Sequence, residues 1–311
     1  MSDKSKLLDL VIIGSGPAGL SAAVYAMRAK LDTIVIEKNY MSGGQIINTY
    51  EVDNYLGLQG MNGFDMAMKM REHAEKLNTK FVSAEVVKVE SADKVKLTYL
   101  ADGTVLESKA VLLATGANNR KLGLEGERKL SGKGVSYCAT CDGAFFREKV
   151  VAVIGGGDVA VEDAIFLARG SRQVYLIHRR DSLRAARILQ EELFSLPNVS
   201  VIWDNVVEDI IGESAVEKIR IKNMKSNETR EIELDGVFVA VGTDPSSELL
   251  EGLVEMDDSK YIRADETCIT SEKGIFVAGD IRTKQLRQII TAASDGANAI
   301  TSIDRYIRAN R

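Results

Sequence analysis

Short apolar runs closed by glycine punctuate this chain, and two of them have the same layout. Leu8 to Ile13 runs into Gly14-Ser15-Gly16-Pro17-Ala18-Gly19, and a helical pattern follows from Leu20 to Ala29. A second strand, Thr33 to Ile36, ends at Glu37, which is 37 − 14 = 23 residues past the first glycine. The layout returns at Val150 to Ile154, with Gly155-Gly156-Gly157-Asp158-Val159-Ala160 and a helical stretch through Ala168. Its second strand, Gln173 to Ile177, ends at His178, and 178 − 155 = 23. Strand, glycine turn and helix make a dinucleotide-binding unit: the first glycine allows the tight turn, the second a close pyrophosphate, the third close helix packing. Free N–H groups and the dipole at the helix start favour the diphosphate. Equal spacing argues for two copies.

The copies differ where a ribose would lie. Glu37 can accept hydrogen bonds from an unphosphorylated ribose. The second copy has His178, Arg179 and Arg180, joined by Arg184, which suit a 2′-phosphate. The residues therefore predict FAD or NAD in the first copy and NADP(H) in the second.

Three further strand-plus-glycine segments belong with these units: Ala110 to Ala114 before Thr115-Gly116, Gly236 to Val241 before Gly242, and Gly274 to Ala278 before Gly279-Asp280. The last is followed by Arg287-Gln288 and a small-residue helical stretch, Thr291 to Ile300. The first domain thus opens the chain, is interrupted by the second, and closes at the end. Short polar crossings are placed near Ala117 to Lys121 and Thr243 to Ser247. Phe81 to Val89, Lys94 to Tyr99 and Val105 to Ser108 read as a small antiparallel sheet, and Val199 to Trp203, Val216 to Met224 and Glu228 to Leu234 as a similar set. The fold class is α/β, with two Rossmann-like domains, one inserted into the other. The expected bounds are 1–117 with 246–311, and 118–245.

With 311 residues, two domains are the natural count at ~150 residues each. A net charge of −5 gives no electrostatic reason to expect nucleic acid or anionic membranes. Glycines and Pro17 interrupt the apolar stretch Leu7 to Met27, against a membrane span, and the polar start Met1 to Lys6 has no apolar signal segment. The chain is expected in the cytoplasm. Its three cysteines make no secreted disulfide framework.

Between the two copies lies Cys138-Ala139-Thr140-Cys141-Asp142. Two thiols at that spacing can close a disulfide, take up two electrons and pass them on by exchange. A neighbouring carboxylate can move the proton each exchange needs. Zinc needs four ligands, and Cys268, His73 and His178 are not grouped with the pair, so no metal is expected. Cys268 reads as a small buried hydrophobe and His73 as a surface residue.

Gly14 to Gly19, Gly43-Gly44-Gln45, Ala114-Thr115-Gly116, Cys138 to Gly143, Gly155 to Ala160, His178 to Arg184, and Gly279-Asp280 with Arg287-Gln288 follow one another as in the low-molecular-weight, bacterial-type thioredoxin reductases, which this chain resembles over essentially its whole length. The resemblance implies a flavin domain holding FAD, an inserted NADPH domain carrying the disulfide, thioredoxin as the protein substrate, and a homodimer. Gly14, Ser15, Gly16, Pro17, Ala18, Glu37 and Lys38 would hold the FAD diphosphate and ribose. Gly44, Gln45, Asn54, Val87, Thr115, Gly116, Asp280, Arg287, Gln288 and Ile289 would line the rest of that cofactor. Gly156, Gly157, Asp158, His178, Arg179, Arg180, Arg184 and Gly242 would bind NADPH. Cys141 would face the flavin, Cys138 would attack the thioredoxin disulfide, and Asp142 would be the acid/base. Val159 departs from the Ser or Thr usual there, and Leu56 from a frequent proline.

Two relatives of this architecture are rival readings. A ferredoxin-dependent flavin thioredoxin reductase keeps the dithiol but lacks the NADPH signatures at Gly155 to Ala160 and His178 to Arg184. A ferredoxin-NADP reductase lacks the dithiol. From another class, a flavin redox sensor without turnover would carry the same parts, and NADPH-driven disulfide reduction separates it.

Overall fold

The strand Leu8–Ile13 (β1) is buried on both faces: Leu10 and Ile12 join one apolar cluster, Val11 and Ile13 another. An unbroken apolar run acquires this double burial in a parallel sheet covered by a layer on each side. The computed structural model describes residues 7–49, 52, 54–58, 60–92 and 94–310, the side chains of Asn48, Thr140 and Cys141 aside.

From β1 the chain turns at Gly14 into helix Pro17–Arg28 (α1), where proline sits at a position whose N–H has no helical partner anyway. It returns as Thr33–Glu37 (β2), parallel to β1. Helix Gly63–Lys76 (α2), capped by the Asn62 side chain, leads to Lys80–Ser83 (β3), parallel to β2. Val86–Ala92 (β4), Val95–Leu100 (β5) and Val105–Leu113 (β6) form an antiparallel arm continuous with that sheet.

Two strands here differ from expectation. Phe81 to Val89 is not one strand: the chain leaves β2 at Ala84, whose N–H bonds Glu37 O at 3.0 Å, and β4 begins after that bend. Conversely, Val105 to Ser108 and the segment from Ala110 are one strand, β6, which ends at Leu113, pairs antiparallel with β5 at its start and parallel with β1 afterwards. The polar Lys109 in its middle does not end it, because its ammonium reaches Asp9 at 2.7 Å.

Ala117–Asn119 (β7) crosses into a second compact unit. Glu125–Lys129 (α3), Val135–Ser136 (β8) and Ala139–Asp142 (α4) come first, then Val150–Gly155 (β9), Asp158–Ala168 (α5), Gln173–Ile177 (β10), Arg187–Ser195 (α6) and Val199–Ile202 (β11). Asn205–Ile211 (β12), Lys218–Asn223 (β13) and Thr229–Glu233 (β14) form a three-stranded antiparallel sheet, and Gly236–Ala240 (β15) completes a parallel sheet of order β11-β10-β9-β15-β8. The sequence pattern puts Val199 to Trp203 among the antiparallel strands. It lies instead parallel to β10, because α6 carries the chain over the sheet as a βαβ crossover. Its antiparallel place belongs to β12, whose alternation is blurred by Glu208-Asp209 and a register shift between Val207 and Asp209.

Thr243–Pro245 (β16) pairs with β7, so the two crossings run side by side, and Ile275–Val277 (β17) then pairs parallel with β6. Helix Ile289–Ala309 (α7) closes the first unit against α1. The units comprise residues 1–118 with 244–311, and 119–243. Both are layered alike. In the first, α1 and α7 share a core with Leu10 and Ile12, while Val11 and Ile13 meet Val86 and Val89 of β4. In the second, Val151 and Val153 meet α5, while Ala152 and Ile154 meet Ile210, Ile219 and Ile221 of the antiparallel sheet. Among the described residues no helix is long and apolar enough to cross a membrane.

Candidate functional site

Each unit has its own candidate site, built on its glycine turn. At Gly14 the backbone is left-handed (φ 99°), and a Cβ there would sit 2.5 Å from Ala114 O. Gly16 caps α1 without any side-chain acceptor for the first helical N–H groups. Gly44, also left-handed, lies against Gly16, and a Cβ on Gly44 would stand 3.4 Å from the Gly16 Cα. Ser15 ties this turn to the end of β2: its N–H and hydroxyl donate to Glu37 Oε2 at 2.9 and 2.7 Å. Asn39 supplies two more donors to Glu37 Oε1.

The distant Gly279-Asp280 turn reaches the same place, since a Cβ on Gly279 would meet the Ala18 Cβ at 3.0 Å. Asp280 Oδ1 is buried without a hydrogen-bond partner among the described residues, and burial raises the carboxyl above the ordinary range, with Lys284 and Arg287 opposing. Arg287 donates to the Asp280 carbonyl at 3.3 Å and stacks on Tyr261. Gln288 caps α7 and accepts from Asn54 at 3.0 Å, with Ile289 next in the helix. Gln45 Nε2 donates to Ala117 O, and Thr115 Oγ1 to Ser246 O at 2.7 Å beside the left-handed Gly116. Pro17 and Ala18 open α1, whereas Lys38 and Val87 present exposed side chains.

Sequence reasoning missed what holds the Gly279-Asp280 turn. Asp295 of α7, 1% exposed, accepts from Gly279 N at 2.9 Å, from Arg282 at 2.7 and 2.8 Å, and from Lys284 at 2.8 Å. Desolvation works to raise the Asp295 carboxyl, yet these partners hold it below the ordinary range. Cys268 packs beside this cluster, its sulfur 3.4 Å from Asp295 O, and burial pushes its thiol up to about 12.

In the second unit the basic segment folds back onto the glycine turn. Arg184 N donates to Gly156 O at 2.7 Å, and Ala186 N to the Asp158 carboxylate at 2.7 Å. A Cβ on Gly156 would lie 2.3 Å from the His178 ring, so glycine makes room for the imidazole. His178 is itself buried, and desolvation lowers its pKa. It is therefore neutral at pH 7, and the positive charge expected here comes from Arg179, Arg180 and Arg184, all exposed. Arg187, exposed at the start of α6, stands three residues beyond Arg184, outside the motif that marks the other arginines. Around Gly157, which caps α5, and Gly242 a Cβ would find open space, and Val159 is 59% exposed.

The same unit carries the dithiol segment. Cys138 is disulfide-bonded, whereas Cys268 is free. Cys141 lies within α4, and its side chain is outside the described residues. Asp142 follows, with Oδ2 2.6 Å from the Ser136 hydroxyl. Tyr137, just before Cys138, donates to the buried Glu127, which also accepts the N–H groups of Leu122 and Gly123 at 2.9 and 2.8 Å. Among the described residues no cluster of metal-ligating side chains occurs. His73 is exposed on α2.

A family model described as pyridine nucleotide-disulphide oxidoreductase matches residues 8–296. The chain is 45% identical to a thioredoxin reductase of Peptoclostridium acidaminophilum, over 97% of this chain and 98% of that one. It is 45% identical to the thioredoxin reductase of Peptoclostridium litorale, over 96% of each. It superposes on the crystal structure of Lactococcus lactis thioredoxin reductase with a TM-score of 0.90 at 40% identity, covering 97% of this chain and 99% of that one. Two glycine turns with opposite charge at their second strands, a disulfide at Cys138 and this full-length similarity place the chain in the pyridine nucleotide-disulphide oxidoreductase family, among the bacterial-type thioredoxin reductases.

Proposed function

We propose that this protein is an NADPH-dependent thioredoxin-disulfide reductase, with FAD in the unit formed by both chain ends and NADPH in the inserted unit. The observation that carries the assignment is the opposite charge folded against the two glycine turns: Glu37 bonded to Ser15, and the segment 179–186, with its three arginines, bonded to Gly156 through Arg184 N and to Asp158 through Ala186 N. The first unit fits a flavin dinucleotide. Gly16 and the uncapped start of α1 offer N–H donors to a diphosphate, and the unpartnered Asp280 Oδ1 needs a donor such as a ribityl hydroxyl. A ribose hydroxyl at Glu37 would share or displace a donor from Ser15 or Asn39. In the second unit the arginines offer a charged fork to a 2′-phosphate, and Gly157 lets a diphosphate approach the backbone.

Held by the Gly14–Ala18 turn, Glu37 and Asp280, FAD would supply two-electron chemistry between a nicotinamide and the Cys138–Cys141 disulfide. The residues of the chain then act by exchange. The Cys138 thiolate attacks one sulfur of the thioredoxin disulfide; that S–S bond breaks as the mixed disulfide forms, and Asp142 gives a proton to the departing sulfur. The Cys141 thiolate next attacks Cys138, which restores the internal disulfide and releases thioredoxin as a dithiol. Two electrons have moved, and the second proton comes from solvent through the same carboxyl. A homodimer is part of this reading.

An anaerobic comparison of NADPH, NADH and reduced ferredoxin as donors tests it. NADPH bleaches the flavin and supports thioredoxin reduction. Cys138→Ser keeps the bleaching and loses at least ~10³-fold in thioredoxin reduction, since the attacking thiol is gone. Ferredoxin as the sole effective donor would overturn the NADPH assignment.

A further inference from the structure

We infer that Ser136 is a positioning residue that holds the Asp142 carboxyl against the Cys138 backbone in both of its protonation states; this rests on reading Cys138 and Cys141 as the exchanging pair. Ser136 is 6% exposed and ends the two-residue strand β8, which is anchored in the parallel sheet by its pairing with Phe238 of β15. Its Oγ lies 2.6 Å from Asp142 Oδ2, 3.1 Å from the Cys138 N–H donor nitrogen and 3.2 Å from the Cys138 carbonyl oxygen. A serine hydroxyl has one proton and two lone pairs, so these contacts cannot all be made with Ser136 as donor.

With Asp142 ionised, the proton goes to the carboxylate, as the short distance of a charge-assisted O–H···O⁻ bond indicates. One lone pair accepts the Cys138 N–H, and the two bonds form a chain from the Cys138 backbone through the hydroxyl to the carboxylate. With a proton on Oδ2, the hydroxyl turns about its C–O bond and donates to the Cys138 carbonyl, while Oγ accepts from the carboxylic acid. The Cys138 N–H contact is the same in both states. The hydroxyl therefore matches each form of Asp142 with a partner and keeps the proton-bearing oxygen in place as the proton leaves. The step is a transfer from the Asp142 carboxyl to the departing thioredoxin thiolate, which gives carboxylate and thiol and changes no other bond.

A serine that merely tied β8 to α4 would show the same contacts, so the test must separate the two roles. The flavin-loaded full chain is compared as wild type, Ser136→Ala, Ser136→Thr, Asp142→Asn and the Ser136→Ala/Asp142→Asn double variant. Ser136→Ala slows thioredoxin reduction about tenfold, part of the ~10²–10⁴-fold that a general acid contributes. It also lowers kcat with little change in the KM for thioredoxin, because only the proton-transfer step loses its aligned group. Ser136→Thr, which keeps the hydroxyl, restores both. In the Asp142→Asn background Ser136→Ala changes the rate less than about twofold, the non-additivity expected of residues acting as one unit.

The second readout needs neither cofactor turnover nor thioredoxin. Protein reduced with dithiothreitol is treated with iodoacetamide across pH, and alkylation of Cys138 is followed by mass. Its midpoint shifts in Ser136→Ala and not in Ser136→Thr, and the shift vanishes when Asp142 is Asn. Wild-type alkylation behaviour in Ser136→Ala, or an equal effect of Ser136→Ala with and without the Asp142 carboxyl, overturns the assignment. If Ser136→Ala does not fold, Ser136→Gly, which also lacks the hydroxyl, is read by the same criteria. Wild-type protein that fails to reduce thioredoxin with NADPH refutes the wider reading instead, and the alkylation result still decides the role of Ser136.

Discussion

At the end of each unit's second strand, the proposed function rests the choice of ribose on the charge of a few residues. Arg179 and Arg184 are exposed, and each charged hydrogen bond to phosphate is worth roughly 1.5–3 kcal/mol. Replacing both with glutamine should raise the KM for NADPH roughly 10²-fold and leave NADH use nearly unchanged; equal loss with both nucleotides would assign the arginines to something else. His178 behaves differently because it is buried and neutral. Its pKa is lowered on folding, so below the ordinary imidazole value of ~6.5 the unfolded chain binds more protons than the folded one. Stability contributed by this site is complete above that pH and declines as pH falls through it. The difference in Tm between wild type and His178→Asn should therefore shrink between about pH 7 and pH 5; a constant difference would show that folding leaves the pKa of the ring unchanged. The glycines, arginines, cysteines and Asp142 were legible because each belongs to a local pattern. Ser136, Glu127, Asp295 and Arg282 were not. Their work is done by contacts with residues that no short motif links to them, such as Asp295 with Gly279 and Glu127 with Tyr137.

Glycine serves two purposes at the scale of elements, and substitution should separate them. Gly296 lies in α7 where it crosses α1, and a Cβ there would meet Ala18 O at 2.2 Å and Ala22 N at 2.7 Å. Both are backbone atoms of α1, so Gly296→Ala must push the helices apart, at about 1–3 kcal/mol for overpacking. Because Ala18 lies in the first turn of α1, where the proposed function places the flavin diphosphate, flavin retention should fall with stability. Gly157 has open space at its Cβ and an ordinary φ of −95°. Gly157→Ala should leave unfolding within ~0.5 kcal/mol of wild type and still weaken NADPH binding. Chemical unfolding and nucleotide titration of the two variants check the contrast. The strand–turn–helix units were readable because parallel strands buried on both faces leave unbroken apolar runs. The antiparallel arms were read less well. β12 carries Glu208 and Asp209 through a register shift, and β6 carries Lys109 through its middle, so polar residues lay inside strands where they resembled boundaries.

At the scale of the whole chain, an insertion is tolerated when its host closes behind it, and the first unit has the bonds to do so. Thr115 Oγ1 donates to Ser246 O at 2.7 Å, Ser246 N to Gly116 O at 3.0 Å, and Asn118 Nδ2 to Ser246 Oγ at 2.9 Å. These contacts hold the residues before the first crossing against those after the second, all within one unit. The last strand and helix of that unit, β17 on β6 and α7 on α1, come from beyond the insertion. Neither half of it can close its core alone, since Phe276, Ile300 and Ile303 share a cluster with Leu10 and Ile12. A chain in which residues 119–243 are replaced by a short glycine-rich turn should therefore fold, because the ends to be joined are already adjacent and a short loop has a small closure cost. It should purify yellow with FAD, bleach with dithionite, and show no bleaching by NADPH. The same chain without 244–311 should not retain the flavin. If the shortened protein folds but binds no flavin, or still bleaches with NADPH, the division of cofactors between the two units is wrong.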